Sequence, residues 1–127
     1  MSKRAIEKYI PQVLEVLDAH YPNGVISSAY SGYIASFGAS IIQSGLKPTL
    51  AFFENENNEE NTKESRVVLN RHILKVLDKN HKDDSLLRYV ITYRGNQELL
   101  KQNIIDISIA LKLAIRTFKL DKGEDDE

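Results

Sequence analysis

The 127-residue chain contains no cysteine. That absence excludes a disulfide framework, a thiol nucleophile and thiolate-bound zinc, and it suits a reducing compartment. There is also no run of about 18 apolar residues to cross a bilayer. Met1-Ser2-Lys3-Arg4-Ala5 opens into an amphipathic stretch, unlike the continuous apolar segment of a secretory leader. The expectation is a soluble, cytoplasmic domain long enough to bury a core without metals or cross-links. Catalytic spacings are missing as well: the chain has no HExxH, no phosphate-binding glycine loop and no dinucleotide fingerprint. His20, His72 and His81 are too widely separated for a helical metal pair, and each reads as a surface histidine. Asp83-Asp84 and Asp125-Asp126 read as a helix cap and a solvated tail. Ser27, Ser28, Ser31 and Ser36 share a helix with no histidine partner evident in sequence. No cofactor, metal or enzymatic activity is therefore expected.

Net charge is only −1, but its distribution is uneven. Five acids and one lysine lie in 121–127, so residues 1–120 hold 16 Lys and Arg against 13 Asp and Glu, a net of +3. Four more acids lie in 54–60; without them the body carries 16 bases against 9 acids, a net of +7. Such a body can attract a polyanion to one face although the whole chain is near neutral.

Apolar residues recur at helical spacing nearly throughout, with no convincing period-two strand. The predicted fold is all-α: a bundle of about six helices in one domain, 1–120, followed by an acidic disordered tail, 121–127. Ile6, Ile10, Val13, Leu14 and Leu17 form the first stripe, with a bend or a helix start expected at Pro11. Pro22-Asn23-Gly24 ends that helix. The second stripe is Ile26, Tyr30, Tyr33, Ile34, Phe37 and Ile41, and the small residues beside it, Gly32 and Gly38 included, suggest close backbone packing. Gly45 and Pro48 punctuate the next boundary: glycine tolerates the left-handed backbone past a helix end, and proline in a first turn wastes no amide. A short helix from about Pro48 to Glu54 leads into an acidic solvated loop, 54–61. Thr62 is the expected cap of a helix over about 63–79, with Val68, Leu69, Ile73, Val76 and Leu77 inward. Asp83 or Asp84 is expected to cap a helix near 85–93. Gly95-Asn96 then introduces the longest helix, about 97–120, whose core stripe runs from Leu100 through Ile107 to Phe118.

Two cationic stripes follow from the spacing. Arg71, Lys75, Lys79 and Lys82 fall within about 80° of arc on the fourth helix. Lys101, Ser108, Lys112, Arg116 and Lys119 repeat the pattern on the last. Rows of cations one turn apart can track a phosphate backbone of any sequence; they are equally what a solvated helix face presents to water. Tyr30, Tyr33, Phe37, Phe52, Phe53 and Phe118 sit at core spacing. Tyr89 and Tyr93, beside Arg88 and Arg94, are the better-exposed aromatics. An aromatic beside a guanidinium can stack on a base, although packing at a helix end is the preferred reading of both.

The words Ile41-Ile42-Gln43-Ser44-Gly45-Leu46, then Leu50-Ala51-Phe52-Phe53, then Tyr93-Arg94 and Gln97-Glu98-Leu99 carry a family resemblance. Over residues 30–53, and more loosely 86–118, the chain resembles the small all-helical subunit of the type III-B CRISPR effector, the Cmr complex. The resemblance implies a non-catalytic subunit of an antiviral ribonucleoprotein. Its partners would be other Cmr subunits, guide RNA and target RNA, and copies of itself stacked head to tail. Specificity would come from guide pairing, with the protein supplying shape and charge. On that reading the expected RNA-binding residues are Arg71, Lys75, Lys79, Lys101, Lys112 and Arg116, with Lys47 and Arg94 at helix corners as secondary choices. The alternative is a protein-interaction scaffold without direct RNA contact.

Overall fold

The computed structural model describes residues 3–55, 66–82 and 85–121. Among these, six helices follow one another: α1 (Lys3–His20), α2 (Ser28–Ser44), α3 (Leu46–Phe53), α4 (Val67–Leu77), α5 (Leu86–Thr92) and α6 (Gln97–Ala114). The all-α expectation is borne out. Two additions were not expected, the strands β1 (Val25–Ser27) and β2 (Lys119–Asp121), which pair in parallel with Val25 opposite Lys119 and Ile26 opposite Leu120. No helix among the described residues is long and apolar enough to cross a membrane.

α4 is the central element, touching each of the other five helices. Of its eleven residues only Arg71 and Lys75 are exposed. Leu69, Ile73 and Leu74 are wholly buried, and Val76 nearly so. α1 lies mainly against α6, presenting Tyr9, Val13 and Leu17. It does not start at Pro11 but runs through it, so the carbonyl of Glu7 lacks the amide that would normally close that turn. α6 ends sooner than its periodicity suggests. After Ala114 a 3₁₀ turn, Ile115–Thr117, leads into β2, which leaves Phe118 half-buried against the core and Lys119 on a strand. The amide of Lys119 donates to the Gly24 carbonyl at 2.9 Å, tying this end of the chain to the α1–α2 connection.

The corner between α2 and α3 forms at Gly45, whose φ of +96° strains any side chain. Its amide donates to the Ile41 carbonyl at 2.8 Å, and the hydroxyls of Ser40 and Thr49 meet across the corner at 2.8 Å. Gly32 and Gly38 behave otherwise: a Cβ on either would meet nothing within 4 Å. The close packing expected there does not occur among the described residues: Gly32, Ala35, Ser36 and Ala39 face outward, and Gly38 is half-buried with open space at its Cβ position.

Three further expectations are corrected. His72 is buried, its Nδ1 2.6 Å from the Tyr30 hydroxyl; burial first, then His20 and Lys75 nearby, pull its pKa down to about 3. Phe52 is 55% exposed, with the Arg66 guanidinium 4.4 Å over its ring. Glu54 is not solvated loop. Its Oε2 accepts from Asn70 Nδ2 at 2.8 Å and the Leu87 amide at 3.0 Å, and its Oε1 accepts from the Ser85 hydroxyl at 2.6 Å. It thereby joins α3, α4 and the N-terminus of α5. The cap of α5 is Ser85, whose Oγ accepts from the Arg88 amide. Thr62, Asp83 and Asp84 lie outside the described residues, as do 56–61 of the acidic loop and 122–127 of the tail.

Candidate nucleic-acid interface

The cationic ridge of α4 continues past the helix. Asp78 is extended and ends α4, its amide bonded to the Leu74 carbonyl at 2.9 Å. Its carboxylate accepts from the Asn80 amide at 3.0 Å, and its carbonyl accepts from the His81 amide at 3.1 Å. This side-chain-locked turn leaves Lys79 and Lys82 exposed on the connection, in series with exposed Arg71 and Lys75.

Two grooves flank the turn. The first, about 310 Å³, lies between α1 and α4, with Gln12, Glu15 and Val16 on one wall and Lys75 and Lys79 on the other. The second, about 400 Å³, is bounded by Asp78, Lys82, Tyr89, Tyr93 and Arg94. His81, half-buried, lines both. The two tyrosine rings lie 5.9 Å apart at a 39° tilt. Burial first, then Asp78 and Tyr93, raise the pKa of Tyr89 above its ordinary value.

The Tyr93-Arg94 end of α5 is held by caps. The side-chain amide of Gln97 donates to the carbonyls of Val90 and Tyr93, both at 3.2 Å. Asn96 caps α6 by accepting from the Leu99 amide at 3.0 Å. Gly95 supplies room: a Cβ there would stand 2.7–2.9 Å from Cε2, the hydroxyl and Cζ of Tyr93.

Lys75, Lys79 and Arg94 are thus brought to this double groove, and Arg71 to the ridge beside it. The other expected residues lie elsewhere. Lys47 is exposed in the first turn of α3, Lys112 near the end of α6 and Arg116 on the 3₁₀ turn. Lys101 is half-buried, and Ser108 is buried with its hydroxyl given to the Ile105 carbonyl at 2.7 Å. The α6 stripe is therefore interrupted, because that part of α6 packs inward. Sequence reasoning placed Lys82 in the cationic stripe but not among the expected RNA contacts, and it missed His81 as a groove residue. Asp78-x-Asn80, a turn signal after an apolar helix, was the available clue.

Fold and grooves together define a small helical module whose central helix turns a row of cations toward solvent. A family model described as CRISPR-associated protein (Cas_Cmr5) matches residues 1–108. The chain belongs to this family, the small subunits of the type III-B Cmr effector. Searches of curated proteins and of solved structures returned no match. Lys112 and Arg116 fall beyond the matched residues.

Proposed function

We propose that this chain is a non-catalytic block of the Cmr effector, stacked in several copies and holding guide or target RNA by its phosphates in antiviral defence. The observation that carries the reading is the ridge. A central helix with only Arg71 and Lys75 exposed continues into exposed Lys79 and Lys82, with Arg94 across the second groove. Lys101, Lys112, Arg116 and Lys47 form secondary cationic positions on other faces. Phosphate contacts of this kind are independent of base sequence, and each contributes about −0.7 to the slope of log affinity against log salt for a single strand. Head-to-tail stacking needs two unlike patches. Two separate apolar positions support it: Ile42 on α2, 85% exposed, and the pair Ile91 and Leu99 on either side of the α5–α6 turn, 57% and 56% exposed.

Charge reversal at Lys75 and at Lys112 in effector assembled with guide RNA tests the reading. The expected result is weakened target capture with a shallower salt dependence, more for Lys75 than for Lys112. Unchanged capture with both reversed would move the RNA surface elsewhere. The exposed Ile42 and the open α2 face around it favour a second reading, a scaffold that touches only protein. Ultraviolet crosslinking of assembled particles separates the two, since a scaffold yields protein crosslinks alone.

A further inference from the structure

We propose that the groove between the α5 tyrosines, Tyr89 and Tyr93, and the turn 78–82 seats one unstacked nucleobase of a single-stranded RNA against a tyrosine face, with the adjoining phosphates on Lys82 and Arg94. This rests on the RNA-contact reading above and adds to it a base-contacting site. The groove has the chemistry of a nucleotide. Two half-buried phenol rings offer apolar faces, an ammonium and a guanidinium stand at its rim, and Asp78 lies at the turn end of the wall. A base has a π-face whatever its identity, so aromatic walls accept it without sequence preference. The Asp78 carboxylate repels phosphate, which orients the strand with its backbone toward Lys82 and Arg94 and a base edge toward Asp78 and Asn80. A volume of about 400 Å³ falls in the range of small-molecule sites, about 300–1,000 Å³.

The walls are positioned in advance. Gln97 holds the carbonyls of Val90 and Tyr93, and the Asp78 turn fixes Asn80 and His81 opposite them. Gly95 is what allows the Tyr93 ring its place, since any Cβ there collides with the far end of the ring. Gly95 has no positive φ. Gly95→Ala therefore moves the ring aside while leaving the backbone and every cation where they are.

The test compares binding of the full-length chain to oligouridylate and to an abasic ribose-phosphate oligomer of equal length, at low salt. The chain has six tyrosines and no tryptophan, so the emission change that belongs to the groove is the part lost in Tyr93→Leu. The expected result is at least about fivefold tighter binding of oligouridylate, the lower end of what one base stacked on an aromatic ring contributes, with quenching of tyrosine emission. Tyr93→Leu and Gly95→Ala should each abolish that preference and keep the affinity for the abasic oligomer. Lys82→Glu should weaken both oligomers alike. Thermal unfolding of each variant confirms that the fold persists. Equal binding of the two oligomers by the wild type, or a preference retained in Gly95→Ala, overturns the base seat and leaves phosphate contact standing. Binding of neither oligomer overturns both.

Discussion

Replacing Glu54 with alanine should destabilise the domain far more than its place at the head of an acidic run suggests. Its carboxylate accepts three hydrogen bonds, from Asn70, Ser85 and the Leu87 amide. Bonds to a charged acceptor contribute about 1.5–3 kcal/mol each, but they do not add here. Asn70 keeps its bond to the Leu50 carbonyl at 3.2 Å, and Ser85 still caps Arg88. The uncompensated losses are the Leu87 amide, the donor of the Ser85 hydroxyl and one arm of Asn70. A cost of about 2–4 kcal/mol follows, against a usual total of about 5–15 kcal/mol for a domain. Urea unfolding followed by circular dichroism measures it. With a slope of about 2 kcal/mol per molar, the midpoint should fall by about 1–2 M with the slope unchanged. Glu54→Gln, which keeps an acceptor oxygen and loses the charge, should lie between the two. A cycle with Ser85→Ala should give a coupling of at least about 0.5 kcal/mol. Stability of Glu54→Ala within about 0.5 kcal/mol of wild type, together with zero coupling, would refute the latch and return Glu54 to solvent.

Three further outcomes are expected. His72 folds with a pKa of about 3, below the ordinary value near 6.5, so below that pH the unfolded chain binds a proton that the folded chain refuses. Stability is therefore lost as pH falls, by about 2 kcal/mol at pH 5, and His72→Gln should flatten denaturation midpoints between pH 7.5 and 5. Gly32→Ala should stabilise the free chain by about 0.5–1 kcal/mol, since the helix interior gains a better residue with no clash, yet weaken effector assembly if α2 faces a neighbour; thermal melts and reconstitution read the two effects. Gly45→Ala should act oppositely on the free chain, costing about 1–3 kcal/mol for a side chain at positive φ.

What was legible in sequence is what local spacing determines. The stripes Val13-Leu17, Tyr30-Ile34-Phe37-Ile41 and Leu100-Ile104-Ile107-Leu111 all face the core, and the glycine corner at 45 and the Asn96 cap stand where the residue types placed them. What failed depended on partners far along the chain. His72 is a core residue because Tyr30, 42 positions earlier, meets it. Lys119-Leu120-Asp121 has no strand signal of its own and becomes a strand only beside Val25-Ile26-Ser27. Phe118 sits at a helical interval from Leu111 and Ile115, but a 3₁₀ turn delivers it to the core equally well. Of the interface, the α4 cations were legible as a stripe. The groove that Lys82 shares with Tyr93 and Arg94 was not, because a turn locked by one aspartate brings α5 beside it.

The latch at Glu54 also bears on where this chain can be altered. Glu54 precedes residues 56–65 and is held by α4 and α5; Arg66 follows them and lies over Phe52, two residues before the latch. Both ends of that interval are thus fastened to the α3–α4 junction independently of its content. Changes at Phe52, Glu54 or Arg66 should therefore loosen the α3–α4 junction and with it the register of the cationic ridge, whereas the junction makes no demand on what the interval between them contains.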